Sequence, residues 1–232
     1  MKLNKFLINL KNKKYEFFYK RNKKKDDSQY FQGILLGRVY KKINLNYNID
    51  IIIDIGANIG SASIFFSLNY PESTIFSFEP VSETYEILKK NTKNFNNIFC
   101  YKSAITSSDN LKKIYIDEDR LGRSSLIKNH RDMETTYHEI VKTIDLNKFL
   151  DKNNIDKIDI LKIDSEGSEK EILDSIKEKL NKVAIIYIEI HGNDKILYLT
   201  NLLKKTHNEI DSVLNPELKE AVFLNKIFKI NK

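Results

Sequence analysis

Cysteine is almost missing from this 232-residue chain, with Cys100 standing alone. No disulfide can form within the chain, and a cysteine-based zinc site is excluded. Cys100 follows Ile98 and Phe99 in an apolar run, so it is expected in the core, and the low cysteine count points to a reducing compartment. Long hydrophobic runs are missing too. Nothing approaches the roughly 20 apolar residues of a membrane-spanning helix. The charged start Met1–Lys5 leads only into Phe6–Leu10, which Asn9 interrupts and which is too short for a secretory signal. The cytoplasm is therefore the default location. No internal repeat or low-complexity domain breaks up the chain.

What is present supports one α/β domain with a short appendage. Hydrophobic residues make up 41% of the chain, enough to bury a core rather than stay disordered. The formal net charge is +7, but the first 25 residues hold ten Lys or Arg against one acid, Glu16. The remainder carries roughly −2, so the body of the protein is not basic. Leu3, Phe6, Leu7 and Leu10 recur at i, i+3, i+4 and i+7, which predicts a short amphipathic helix within residues 1–25. Such a basic helix can lie peripherally on an anionic membrane face, or pack on its own domain or on a second copy of the chain. Lys20–Lys25 continues the basic run, Asp26–Gln32 reads as a polar connector, and a helix is expected over Gly33–Ile43. These elements form a helical extension, 1–48, ahead of a domain spanning 49–232.

From Ile49 the pattern alternates. Ile49–Ile55 is β-branched and suits a parallel strand buried on both faces. A helix over Ser61–Asn69, a strand Thr74–Phe78, a helix Ser82–Asn94 with Ser82 as its cap, and a strand Ile98–Ile105 follow. Leu111–Ile116 reads as an edge strand, Gly122–His130 as a loop and Ile144–Leu150 as a short helix. Then come a strand Ile158–Ile163, a helix Ser168–Leu180, a strand Val183–Ile190 and a helix Lys195–His207. Glu209–Leu214 and Ala221–Ile230 can close the sheet as a strand pair around Pro216. This predicts a Rossmann-like, mostly parallel doubly wound sheet.

The strongest local signal is Asp54-Ile-Gly56-Ala-Asn58-Ile-Gly60, placed between a buried strand and a helix. Glycine permits the tight turn and lets a ligand approach the backbone, and the helix start offers unpaired N–H groups. Glu79 ends the next strand, where an acid can accept hydrogen bonds from both hydroxyls of a ribose. The third glycine of a dinucleotide fingerprint is missing. An acid at the Asp54 position, able to face an ammonium group, fits S-adenosylmethionine better than NAD.

At these residues the sequence resembles the FkbM-type methyltransferases. The matching pieces between Ile51 and Gly192 are Asp54–Gly60, Phe78-Glu79-Pro80, Ser124-Ser125-Leu126, Leu161-Lys-Ile-Asp164-Ser-Glu166-Gly-Ser-Glu169 and Glu189-Ile-His191. The resemblance implies a class I methyltransferase fold, S-adenosylmethionine as methyl donor, and a hydroxyl acceptor on a sugar, glycan or polyketide. It places Asp54, Gly56, Asn58 and Gly60 along the methionine end, Glu79 at the ribose, and Ser103 and Ala104 near the adenine. Asp164 and Glu166 follow the fourth strand, beside the crevice of an open α/β sheet. A sugar hydroxyl must lose its proton to attack a methyl group, so Asp164 is the first candidate base and His191 the second. Glu166 is expected to orient the acceptor or a neighbouring loop.

Plainer readings stand beside these. Asp164 and Glu166 can serve only to favour the N-terminus of the helix near Ser168. Glu169 and Glu171 read as its solvated first turn, and Ser124 and Ser125 as a turn. His130, His138 and His207 lie in polar surroundings and carry no argument. No dense ligand cluster is visible, so no metal site is assigned, although Asp164, Glu166 and Glu189 would suit a magnesium ion. Nucleic acid is a poor fit as acceptor. The Asn/Asp-Pro-Pro-aromatic element of amino methylation is replaced here by Asp164-Ser-Glu166-Gly, whose acids repel phosphates. A non-catalytic binding module of the same fold is the remaining alternative.

Overall fold

A computed structural model describes residues 3–20, 27–118, 121–130, 135–214 and 218–230. Among these residues the chain runs β1 (Asn4–Leu10), β2 (Lys13–Tyr19), α1 (Asp27–Leu35), β3 (Ile51–Ile55), α2 (Ser61–Asn69), β4 (Thr74–Phe78) and α3 (Ser82–Thr92). It continues through β5 (Ile98–Tyr101), β6 (Ala104–Thr106), β7 (Asn110–Tyr115), β8 (His138–Asp145), α4 (Leu146–Lys152) and β9 (Ile158–Ile163). The last third holds α5 (Glu169–Ser175), β10 (Val183–His191), α6 (Asn193–Lys204), β11 (His207–Leu214) and β12 (Leu218–Asn225).

The apolar runs pair into a seven-stranded sheet ordered β11-β12-β10-β9-β3-β4-β5. Strands β10, β9, β3, β4 and β5 pair in parallel, and β12 runs antiparallel to both β10 and β11. Both faces are covered. Ile53, Ile55 and Ile163 pack on one side with Ile172 and Leu199, while Ile52, Ile160 and Ile185 pack on the other with Phe65 and Phe66. This two-sided burial explains why the strands read as continuous hydrophobic runs. The chain winds outward from β3 in one direction and from β9 in the other. The crevice at the carboxyl ends of these two neighbours is therefore the switch point of the sheet. A separate three-stranded sheet, β6-β8-β7, stands near its mouth.

The amino-terminal residues depart from expectation. They form a hairpin, not a helix: β1 pairs antiparallel with β2 across Lys11 and Asn12, whose φ values of 47° and 62° are those of a two-residue I′ turn. Phe6, Ile8 and Leu10 share one face at period two, leaving Leu7 54% exposed. Short apolar runs satisfy both the helical and the strand period, and here the aromatic face of β2 decides. Phe17 packs in tilted contacts against Phe6 and Phe31, and the hairpin buries Leu10 and Phe17 against α1 and Ile64 of α2. There is thus no surface helix at residues 4–19 to lie on a membrane. The helix expected at 33–43 starts earlier and ends at Leu35, taking in most of the predicted connector. Residues 21–25 of the basic run, and Pro216, lie outside the described residues.

Elsewhere the corrections are local. The run at 98–105 splits into β5 and β6, and Cys100 is half-buried on an edge strand rather than in the core. Residues 144–145 end β8, and Asp145 caps α4 by accepting from Lys148 N–H. Val81, not Ser82, occupies the cap position of α3, because Glu139 holds Ser82. The helix expected over 168–180 stops at Ser175 and continues as a 3₁₀ turn. Among the described residues, no helix is long and apolar enough to cross a membrane.

His207 is fully buried, contrary to its polar sequence neighbours. Its Nε2 lies 3.0 Å from the Val183 carbonyl and its Nδ1 2.7 Å from the Thr206 hydroxyl, a complete set of partners for a neutral ring. Burial lowers its pKa to about 4. The unfolded chain takes up this proton near pH 6.5 and the folded chain does not, so stability contributed by the neutral ring is lost as pH falls from 6.5 towards 4. Urea midpoints measured at pH 7 and pH 5 should fall further for the wild type than for His207→Gln. Equal slopes would refute this role.

Candidate functional site

The switch point is built by backbone contacts between strand tips. Gly56 and Ala57 donate N–H bonds to the Phe78 carbonyl, and Asp164 N–H donates to the Ile55 carbonyl. Gly56 has φ 73°, and a Cβ there would sit 1.7 Å from the Asp164 carbonyl oxygen. Its smallness serves the approach of β3 to the turn after β9. Gly60, at φ 96°, lets α2 pass α3, since a Cβ would press on Leu88 and Thr92. The two glycines thus answer chain-to-chain crowding first, although Gly56 also lines the crevice.

Beneath this turn lies a buried ion pair. Asp54 on β3 and Lys162 on β9 are paired in register, with Asp54 Oδ1 3.1 Å from Lys162 Nζ. The other Asp54 oxygen accepts from Ser63 Oγ at 2.6 Å, and Lys162 Nζ donates to the Gly56 carbonyl at 2.7 Å. Burial alone would lower the Lys162 pKa, but Asp54 and Asp164 outweigh it and hold the ammonium charged. Asp54 is wholly enclosed and does not line the crevice.

A cavity open to solvent lies above the switch point. Its apolar side includes Phe78, Val81, Ala104, Ile105 and Leu126, and its polar side includes Asn58, Glu79, Asp164 and Glu166. Glu79 accepts N–H bonds from Asn58 at 3.0 Å and Val81 at 2.9 Å. Burial raises its pKa to about 7, against the opposing pull of these two donors. Asn58 and Glu166 have φ values of 50° and 47°, left-handed conformations uncommon in residues with side chains. The loop 121–130 covers one side: Gly122 lies against the Asn58 side chain, and Ser125 Oγ donates to the Glu166 carbonyl at 2.5 Å.

A second cavity, also open to solvent, lies on the other side of the β9 and β10 tips. Tyr30, Tyr40, Glu189, Asp211 and Glu220 are among its lining residues, with Lys162 reaching both regions. Asp164, which lines the first cavity, lies 3.8 Å from Lys162 Nζ, with 29% of its side chain exposed. Burial and the nearby Glu189 carboxylate push its pKa to about 8. Below it, His191 is completely buried, with Nδ1 3.0 Å from Glu169 Oε1 and Nε2 2.9 Å from Glu189 Oε1. Desolvation would lower its pKa, but these carboxylates raise it to about 10, so both ring nitrogens are protonated at neutral pH.

This geometry can be set beside known proteins. The profile of the FkbM methyltransferase domain matches residues 54–223, most of the chain. The chain belongs to the FkbM methyltransferase family. Relatives include Methyltransferase 1 of Beauveria bassiana, 25% identical over 146 residues that span 55% of this chain and 59% of that protein. Another is the hexuronic acid methyltransferase AglP of Haloferax volcanii, 24% identical over 157 residues, 67% of this chain and 62% of that protein. The chain thus spans about three fifths of the length of these relatives. The fibrillarin pre-rRNA processing protein of Methanococcus jannaschii aligns over 96% of this chain and 83% of its own, at 9% identity and a TM-score of 0.54, a likeness of fold alone. The fold is the Rossmann-like class I methyltransferase fold.

Within this FkbM domain, the crevice gathers Gly56, Asn58, Glu79, Ala104, Asp164 and Glu166. Asp54, Gly60, Ser103 and His191 do not line it. Asp54 and His191 lie behind it, Asp54 against Lys162 and His191 against the Glu166, Glu169 and Glu189 carboxylates. The Ser103 hydroxyl is buried without a hydrogen-bond partner among the described residues. Three participants escaped sequence reasoning. Lys162 carried a signal: a lone cation in a strand buried on both faces requires a buried anion. Glu169, expected in a solvated turn, is fully buried against His191 and Gly167 N–H. His130 comes to Glu166 only through the fold of its loop.

The Gly56 contact is directly testable. Gly56→Ala should destabilise the protein by about 3 kcal/mol or more, because the clash is with backbone and φ is left-handed. Chemical denaturation showing wild-type stability would disprove the close approach.

Proposed function

We propose that this chain is an S-adenosylmethionine-dependent O-methyltransferase acting on a hydroxyl of a sugar or related glycan. The observation that carries this reading is a pair of cavities at neighbouring strand tips: Asp164 lines the first and lies 3.8 Å from Lys162 Nζ, which lines the second. The first has an apolar wall for an adenine and a carboxylate, Glu79, fit to accept from ribose hydroxyls. Its polar end would take the amino-acid part of the cofactor at the Asn58 turn. The second cavity offers tyrosines and carboxylates, a surface suited to a polyhydroxylated acceptor. Its acids favour a neutral sugar over an anionic one and disfavour nucleic acid. The hexuronic acid relative supports a saccharide class, while the acidic lining points away from a uronate here.

The chemistry is an in-line displacement. The acceptor oxygen forms a bond to the methyl carbon as the carbon–sulfur bond breaks. The sulfonium becomes the neutral thioether of S-adenosylhomocysteine, and the hydroxyl proton passes to ionised Asp164. Asp164 suits this step because it lines the first cavity, stays partly exposed beside Lys162 of the second, and has a pKa raised to about 8. His191 suits it less, since neither ring nitrogen has a lone pair to offer. Glu166 acts by holding the covering loop through His130 and Ser125.

Calorimetry should show S-adenosylmethionine binding that Glu79→Ala weakens at least about tenfold, with no heat from NAD. Ribose hydroxyls favour the ionised Glu79, so wild-type affinity should weaken as pH falls below about 7. Turnover on a panel of neutral saccharides, followed by transfer of labelled methyl, should fall about 10²–10⁴-fold in Asp164→Asn with cofactor binding retained. Full turnover in that variant would remove Asp164 as the base. No binding by the wild type would remove the cofactor assignment.

A further inference from the structure

Two imidazoles and a carboxylate converge beside the first cavity, which Glu166 lines. Glu166 Oε2 lies 3.2 Å from His130 Nε2 and 3.3 Å from His191 Nε2. The same His191 nitrogen lies 2.9 Å from Glu189 Oε1. Atoms bound ~2.0–2.2 Å from one ion stand about 3–3.5 Å apart, so the spacing suits shared ligation as well as hydrogen bonding. Counting hydrogens separates the two. His191 Nε2 carries at most one hydrogen, yet two carboxylate oxygens face it. Its Nδ1 is already held by Glu169 Oε1, which also accepts from Gly167 N–H at 2.8 Å. A carboxylate fixing the far nitrogen of an imidazole is the outer-shell arrangement that presents Nε2 to a metal.

Charge and backbone point the same way. Asp164, Glu166, Glu169 and Glu189 surround His191, and the nearby Lys162 is already paired with Asp54. The side chains of His130 and Glu166 are only 9% and 10% exposed, so an ion held there is largely shielded from water. Glu166 reaches its position through a left-handed turn, and Gly167 at φ 110° leaves room for the His130 ring, which a Cβ would press at 3.1 Å.

We propose that His130, Glu166 and His191 bind a divalent transition-metal ion, which displaces the Nε2 proton of His191 to solvent, with Glu189 in reach as a further ligand. Two imidazoles with carboxylate select zinc, manganese or ferrous iron over magnesium or calcium, which prefer all-oxygen sites. The site therefore differs from the magnesium site suggested by Asp164, Glu166 and Glu189 in sequence. It also ties the loop 121–130 to β10. Glu166 lines the first cavity and Glu189 the second, so the ion lies between them. If the methyl-transfer reading holds, its Lewis acidity lowers the pKa of an acceptor hydroxyl; binding itself does not depend on that reading.

The test uses full-length protein stripped with a chelator and titrated with Co²⁺ and Zn²⁺. One ion should bind per chain, with visible Co²⁺ absorption bands of imidazole and carboxylate ligation and a rise in melting temperature. His130→Ala, on a surface loop, and Glu166→Gln should each weaken binding at least about tenfold while circular dichroism stays unchanged. Folded wild type that takes up no stoichiometric Co²⁺ or Zn²⁺ overturns the proposal. So does undiminished binding in folded His130→Ala. Neither result bears on S-adenosylmethionine affinity, which Glu79 reports separately.

Discussion

The buried Asp54–Lys162 pair is the interaction on which the rest of the site depends. It joins the first strands of the two oppositely wound halves at the point where they part. Removing a buried charge's partner typically costs about 3–5 kcal/mol, because the remaining charge stays in low dielectric. Each partner is also secured on its other side: Ser63 holds the second Asp54 oxygen, and the Gly56 carbonyl takes Lys162. The pair therefore fixes the height of the turn after β3 relative to the turn after β9. Gly56, Asp164 and the floor of the crevice follow from that height.

Backbone, more than side chains, then shapes the crevice. Gly56 allows the turns to touch, and left-handed residues at Asn58 and Glu166 aim polar groups along its sides. Glu79 is held by two N–H donors, so it arrives oriented and loses little freedom on meeting a ligand. Among the described residues the site is rich in carboxylates, with Lys162 lying between Asp54 and Asp164. Burial and mutual repulsion keep Asp164 near neutrality in its pKa, while the same carboxylates keep His191 charged. Two groups in one cluster are thereby driven in opposite directions by their surroundings.

Much of the sheet was legible because a strand buried on both faces has to be apolar throughout. Ile51–Ile55, Ile158–Ile163 and Val183–His191 all announce themselves in this way. The amino-terminal hairpin was illegible for the opposite reason. Leu3, Phe6, Leu7 and Leu10 fit a helix as well as Phe6, Ile8 and Leu10 fit a strand, and only the aromatic partners Phe17 and Phe31 decide between them. The Asp54–Gly60 motif fixes a turn without saying what crowds it: Asp54 meets Lys162 and Ser63, and Gly56 meets the Asp164 carbonyl.

By itself, then, the sequence determined the alternation of strands and helices, the switch-point turn and the acids at the strand tips. These depend on spacing along one chain, and hydrophobic period and glycine position encode spacing directly. Only the tertiary structure decided which charges meet. Lys162 finds Asp54 across more than 100 residues, and His130 and His191 reach Glu166 from a loop and a strand with no shared sequence pattern. Such contacts are set by sheet order and by the path of a loop, and neither leaves a local trace in the residues that it brings together.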